Sequence, residues 1–120
     1  MPPLSDSVAA SIFRSTAVTN TATLVNGKGG ALRGWSLLTT NAVAAYIKFY
    51  DASSAADVTV GTTTPIWTEF IPASGENSDI GDLKEFLEYT NGLVIAVTTE
   101  AADSGTTAPA SLPIVQLAYT

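Results

Sequence analysis

The chain contains neither cysteine nor histidine. Without cysteine there are no disulfides and no thiolate metal sites, and the redox compartment stays open. Without histidine there is no His-based catalytic triad, and the commonest metal ligand is missing. Cations are nearly as scarce: Lys and Arg number 5 against 11 for Asp and Glu, giving a net charge of −6. Arg14, Lys28, Arg33, Lys48 and Lys84 stand singly along the chain. Nucleic-acid binders draw much of their affinity from neutralising phosphates, so no nucleic acid is expected as a partner. Long apolar runs are absent too. No window approaches the roughly 20 apolar residues that span a bilayer, so no membrane partner is expected either. The opening MPPLSDSVAASIFRS has no basic first segment and no apolar run, and does not read as a signal peptide. A soluble protein made in a cytoplasm is the expectation.

Charge of either sign is sparse, at 13% of residues against roughly 25% in an average soluble domain. Thr, Ala, Ser and Gly take its place, and a surface with few charges to desolvate suits packing against other protein. The 120 residues allow one domain, and the 46% of hydrophobic residues can supply its core.

What the chain does have is β-signal. Short apolar stretches rich in Val, Ile, Thr and aromatics alternate with Gly, Pro, Asn and Ser. The pattern predicts strands near Val8–Arg14, Ala22–Val25, Leu32–Thr39, Ala44–Tyr50, Ile66–Ile71, Leu83–Tyr89, Leu93–Thr99 and Ile114–Tyr119, with a short edge piece at Val58–Val60. Turn signals this frequent predict an all-β fold: an antiparallel β-sandwich, jelly-roll-like, with an N-terminal arm. Residues 1–15 form the arm or an edge strand, and 16–120 the single sandwich domain. Asn26-Gly27 opens a hairpin loop, where positive φ is tolerated. Pro65, Pro72 and Pro113 belong at strand ends or edges. AADSGTTAP, from Ala101 to Pro109, has loop composition throughout.

Some strands are apolar on both faces. In LVIAVT, Leu93, Ile95 and Val97 alternate with Val94, Ala96 and Thr98, and in PIWTEFI Ile66 and Phe70 oppose Trp67 and Ile71. A two-sheet sandwich needs only one apolar face per strand. The second face therefore needs a cover: the N-terminal segment, a neighbouring subunit, or long loops over central strands. YIKFYD, from Tyr46 to Asp51, poses the same question. Ile47 and Phe49 share one face, expected in the core, while Tyr46, Lys48 and Tyr50 share the other. Tyr buries ring area and keeps a hydrogen-bonding hydroxyl, so this second face is expected at a protein–protein contact. Tyr46, Lys48 and Tyr50, with Trp67 and Phe13, are the candidate interface residues.

Catalytic signals are weak. No GxSxG is present, and Gly27-Lys28-Gly29 lacks the earlier glycine and the following Ser or Thr of a phosphate loop. In ENSDIGDLKEFLE, the acids Glu76, Asp79, Asp82, Glu85 and Glu88 recur every three residues, which does not fit a calcium loop. The stretch reads as a solvated acidic loop running into a strand or helical turn, or as a charged patch that docks on a basic partner surface. A carboxylate pair for glycoside chemistry would bring a cleft with more exposed aromatics. Trp35 and Trp67 are expected in the core or at an interface. No enzyme activity, cofactor or metal is expected.

Several segments in order resemble a family of small tailed-bacteriophage virion proteins: YIKFYD at Tyr46–Asp51, TVGTTTP at Thr59–Pro65, IPASG at Ile71–Gly75, NGLVIAVTT at Asn91–Thr99 with Ala102-Asp103-Ser104, and the closing IVQLAYT. The resemblance spans roughly Leu32 to the C-terminus and departs from the family pattern between Gly75 and Asn91. It implies a β-sandwich and a virion role. The leading reading is a non-enzymatic capsid decoration (cement) protein on the outer surface of the head, with the major capsid protein as partner and self-association as a homotrimer. A head-fibre, neck or tail component is the alternative within that class. A carbohydrate-binding sandwich touching a host glycan through Trp67 and Tyr46 is the alternative from another class, and a hydrolase comes third.

Overall fold

The computed structural model describes residues 10–79 and 85–120. Residues 1–9 of the expected arm, the first part of the strand expected at Leu83–Tyr89, and Asp82 lie outside them. Among the described residues, nine strands follow in chain order: β1 (Ser11–Ser15), β2 (Thr23–Asn26), β3 (Gly30–Leu38), β4 (Ala45–Asp51), β5 (Trp67–Ile71), β6 (Glu76–Asp79), β7 (Leu87–Tyr89), β8 (Leu93–Thr98) and β9 (Ile114–Tyr119). All pairings are antiparallel, and the fold is all-β.

The pairing is nested. β4 pairs β5, β3 pairs β6 and β7, β2 pairs β8, and β1 pairs β9. A chain paired this way is one long ribbon centred on residues 52–66. The ribbon folds over when β9 also pairs β3 and β8 also pairs β4. The resulting sheets run β1-β9-β3-β6, with β7 beside β6 on β3, and β2-β8-β4-β5. With β6 and β7 sharing one strand position, this is the eight-position jelly roll.

Between the sheets lies a core of Val18, Leu32, Trp35, Leu37, Ala45, Ile47, Phe49, Ile71, Tyr89, Leu93, Ile95, Val97, Val115 and Leu117. Ile47 and Phe49 face it, as alternation in YIKFYD predicts. In β3, Leu32 and Trp35 stand three apart, so strict alternation would send them to opposite faces. A bulge at Arg33, between the pairs Leu32–Tyr119 and Gly34–Ala118, resets the phase and lets both enter the core. Gly92, at the turn into β8, is required by close approach. A Cβ there would meet the backbone carbonyl oxygens of Ala52 and Asn26.

Two expectations need correction. The short strand foreseen at Val58–Val60 does not form: these residues connect a 3-10 turn at Ala55–Asp57 to a turn in which the amides of Thr62 and Thr63 donate to the Thr59 carbonyl. The acidic stretch supplies an additional strand at Glu76–Asp79, paired with Trp35–Leu38. Ser11–Ser15, the end of the region foreseen as arm or edge strand, forms an edge strand along β9.

Candidate functional site

Two places bear on function: the outer face of the β2-β8-β4-β5 sheet, and the side of the sandwich where β5 meets β6.

On the outer face, register places Tyr46 across from Thr98, Lys48 from Ala96, and Tyr50 from Val94. The chain covers this face itself. Tyr50, Ala52, Val58, Val94 and Ala96 form a second buried cluster, with Ala22 and Val60 packed against it. Loop 99–107 closes the rest. Lys48 Nζ donates to the carbonyl oxygens of Ala102 and, at 3.3 Å, Gly105. The amide of Thr99 donates to the Thr107 carbonyl at 3.0 Å, and Asn20 Nδ2 to the Thr106 carbonyl at 2.8 Å. The Glu100 carboxylate accepts from the Thr107 amide at 3.0 Å and Thr99 Oγ1 at 3.1 Å. Bonds from Thr107 hold that carboxyl below its ordinary range. Gly61, at φ +92°, lies against Thr106 and joins the two covering loops.

This corrects the expected interface. Lys48 and Tyr50 are fully buried within one chain, so neither is available to a partner. The cover is the chain's own loops, the last of the three sources foreseen. Phe13 is also turned inward and packs on the main core. Tyr46 is half-buried, its ring 5.5 Å from that of Phe70. Burial lowers the pKa of Lys48, with Glu100 and Asp103 acting against it. A lysine with a lowered pKa can serve as a nucleophile. Here the ammonium is committed to two carbonyls under a closed loop, an arrangement suited to anchoring.

Lys48→Met therefore makes a sharp test. Replacing a buried charge by an apolar side chain of similar length is expected to change global stability by no more than about 1 kcal/mol. The carbonyls of Ala102 and Gly105 would lose their anchor. Amide exchange in residues 100–107 should accelerate while β4 and β8 stay protected. Unchanged protection in that loop would show that Lys48 does not hold it.

The second place is the side where the two sheets' edges meet. β5 ends one sheet and β6 ends the other. Asn77 of β6 bridges them: its Nδ2 donates to the Phe70 carbonyl and to Glu69 Oε2, both at 2.8 Å. Trp35 Nε1 donates to Asn77 Oδ1 at 3.1 Å, and Trp67 Nε1 to Glu69 Oε1 at 3.0 Å. Phe86 sits edge-on between the two indoles, 4.7 Å from Trp35 and 5.2 Å from Trp67. Trp35 is buried beneath, whereas Ile66, Trp67, Phe70 and Phe86 are each 38–45% exposed. Neutral donors orient the Glu69 carboxylate, and no cation pairs with it among the described residues.

Of the five interface candidates, only Trp67 lies in this exposed aromatic group. The structure adds Phe70, Phe86, Glu69 and Asn77. Alternation in WTEF puts Glu69 on the Trp67 side, the one local signal for that pair. Phe86 was hidden in the acidic stretch. Among the described residues, no group of three or more acidic, His or Cys side chains is placed to hold a metal ion. No family model, curated protein or solved structure matches the chain.

Proposed function

We propose that this chain is a virion structural protein without enzymatic activity: a phage capsid decoration protein that binds the outer surface of the head and stabilises the shell. In this reading its partners are the major capsid protein and further copies of itself, arranged as a homotrimer. The observation that carries the docking role is the exposed group of Ile66, Trp67, Phe70 and Phe86 along the open β5 and β6 edges. Large apolar side chains gathered at one free side of an otherwise weakly charged domain suit a protein–protein contact. The ordered segments that resemble phage virion proteins direct this docking role to a capsid. The jelly roll is compatible with it but serves many functions, so the fold carries none of the weight.

The same exposed Trp67 face favours the second reading, a glycan platform, because sugars stack on open aromatic faces. Fractionation distinguishes the readings. Purified virions separated into heads and tails, with copies counted by quantitative mass spectrometry, should show hundreds of copies on heads. A handful of copies at the neck or on a fibre would replace the decoration reading. Complete absence from virions, with binding to host polysaccharide abolished by Trp67→Ala, would establish the glycan reading instead.

A further inference from the structure

The two sides of the sandwich are unlike, and they complement each other. On the β5–β6 side, exposed Trp67 donates to the Glu69 carboxylate and exposed Phe86 packs edge-on against the Trp67 ring, while Phe70 points to the outer face of β5 beside Tyr46. Each Glu69 carboxylate oxygen accepts one bond from a neutral donor, which fixes the group and leaves lone pairs free on both. On the opposite side, β1 and β2 end their sheets. There Ile12 is 66% exposed on the outer face of its sheet, and Leu24, across from Val94, is exposed on the outer face of the other sheet. Exposed Arg14 stands two residues beyond Ile12 on the same strand face. Arg14 has no ion-pair partner among the described residues.

The chain's few cations narrow the choice of partner group. Lys48 is buried under its loop, and Arg33 pairs with Glu85 at 3.4 Å. Lys84 lies outside the described residues, and Lys28 sits in the β2–β3 loop. Among the described cations, Arg14 alone stands on an edge strand beside an exposed apolar side chain, Ile12.

We infer that the β5–β6 side of one copy receives the β1–β2 side of the next, with Arg14 placed on the Trp67 face and paired with Glu69. A guanidinium can stack on an indole and fork onto a carboxylate at once, which lysine does poorly. Ile12, on the Arg14 face of β1, supplies apolar area opposite Phe86. The contact joins two different surfaces, so it closes into a ring when the rotation per copy permits and otherwise extends into a filament. This inference rests on the proposed homotrimer, for which a ring of three is the closed form. It moves self-association away from the covered outer face, where Tyr50 and Lys48 are sealed.

The test is a charge exchange followed by sedimentation velocity. Wild-type chain at micromolar concentration should sediment as a closed trimer. Arg14→Glu, on an exposed edge position, should keep the fold and weaken association by at least about tenfold, as loss of an interfacial charge pair does. Glu69→Lys should do the same, and the double variant Arg14→Glu/Glu69→Lys should restore the trimer. If Glu69→Lys fails to fold because Trp67 and Asn77 lose their acceptor, Arg14→Glu still decides. Trp67 emission adds a second readout: acrylamide should quench it more strongly in Arg14→Glu than in wild type. A wild-type monomer at high micromolar concentration, or an Arg14→Glu variant that assembles like wild type, overturns the interface. Head fractionation is scored separately, so a failed interface with copies still on heads leaves the decoration reading standing.

Discussion

Tyr50→Ala is expected to destabilise the chain about as strongly as Phe49→Ala, by roughly 3–5 kcal/mol each, the range for truncating a buried aromatic. The two residues are neighbours in β4 and point to opposite faces, yet both are completely buried. Phe49 fills the space between the sheets against the main core. Tyr50 fills the second cluster, against Val58, Val94 and the loop that carries Ala52. Tyr50→Phe separates packing from polarity. The Tyr50 hydroxyl is buried with no hydrogen-bond partner among the described residues. Burial raises its pKa, and the nearby Asp103 carboxylate pushes the same way. Removing that oxygen while keeping the ring should leave stability unchanged or raise it slightly. Urea denaturation of the three variants checks the pattern. A Tyr50→Ala chain as stable as wild type would mean that the outer cluster contributes nothing to the fold.

That prediction reverses what alternation in YIKFYD suggested for Tyr50, and the reason is physical. Period-two alternation reports which residues share a face, and it correctly separated Ile47 and Phe49 from Tyr46, Lys48 and Tyr50. It says nothing about what covers a face. Here the cover comes from residues 52–63 and 99–107, which read as loop apart from the short edge piece foreseen at Val58–Val60. Tyr and Lys suit such a boundary layer as well as they suit an interface, since both combine apolar length with a polar tip. Position along the strand decides little. What decides is a lysine reaching carbonyls more than fifty residues away.

Other parts of the fold were legible to different degrees for similar reasons. Apolar strands such as LVIAVT announced themselves because they are buried on both faces. Glu76–Asp79 did not, because an edge strand with the burial of ENSD needs no apolar side chain and takes its order from pairing with β3. The bulge at Arg33 breaks the period that would have placed Leu32, and no local residue marks it. At the aromatic side, Trp67 stood out by size alone. Glu69 and Asn77 gained meaning only when the fold brought β5 and β6 together.

Asp51, the last residue of YIKFYD, yields the other large expected effect. At the end of β4, its carboxylate accepts from the amides of Thr90 at 2.9 Å, Asn91 at 2.7 Å and Gly92 at 3.4 Å. These bonds tie the β7–β8 turn to β4, next to the Ala52 amide that donates to the Gly92 carbonyl at 3.2 Å. Burial alone would raise the Asp51 pKa, but the three backbone donors and the Asn91 side chain outweigh it and hold the carboxyl below its ordinary value. Thr90 and Asn91 are exposed, so water can replace two of the lost bonds, and Asp51→Ala should cost about 2 kcal/mol. Asp51→Asn should cost less, since its amide oxygen still accepts from Asn91 and Gly92. The sign of the pH effect follows from the lowered pKa. On acidification the unfolded chain takes up the proton first, so this contribution is intact above about pH 5 and fades as pH falls through about 4 toward the folded value. Glu100, also held low, fades in the same direction, so the wild type should lose stability in acid even apart from Asp51. The signature of Asp51 is a difference: the stability gap between wild type and Asp51→Asn, measured by urea denaturation, should hold between about pH 6 and pH 5 and narrow from there to about pH 3, where carboxylates protonate. A gap that stays constant across that range would mean that the Asp51 charge contributes nothing, and that neutral hydrogen bonds and packing hold the turn.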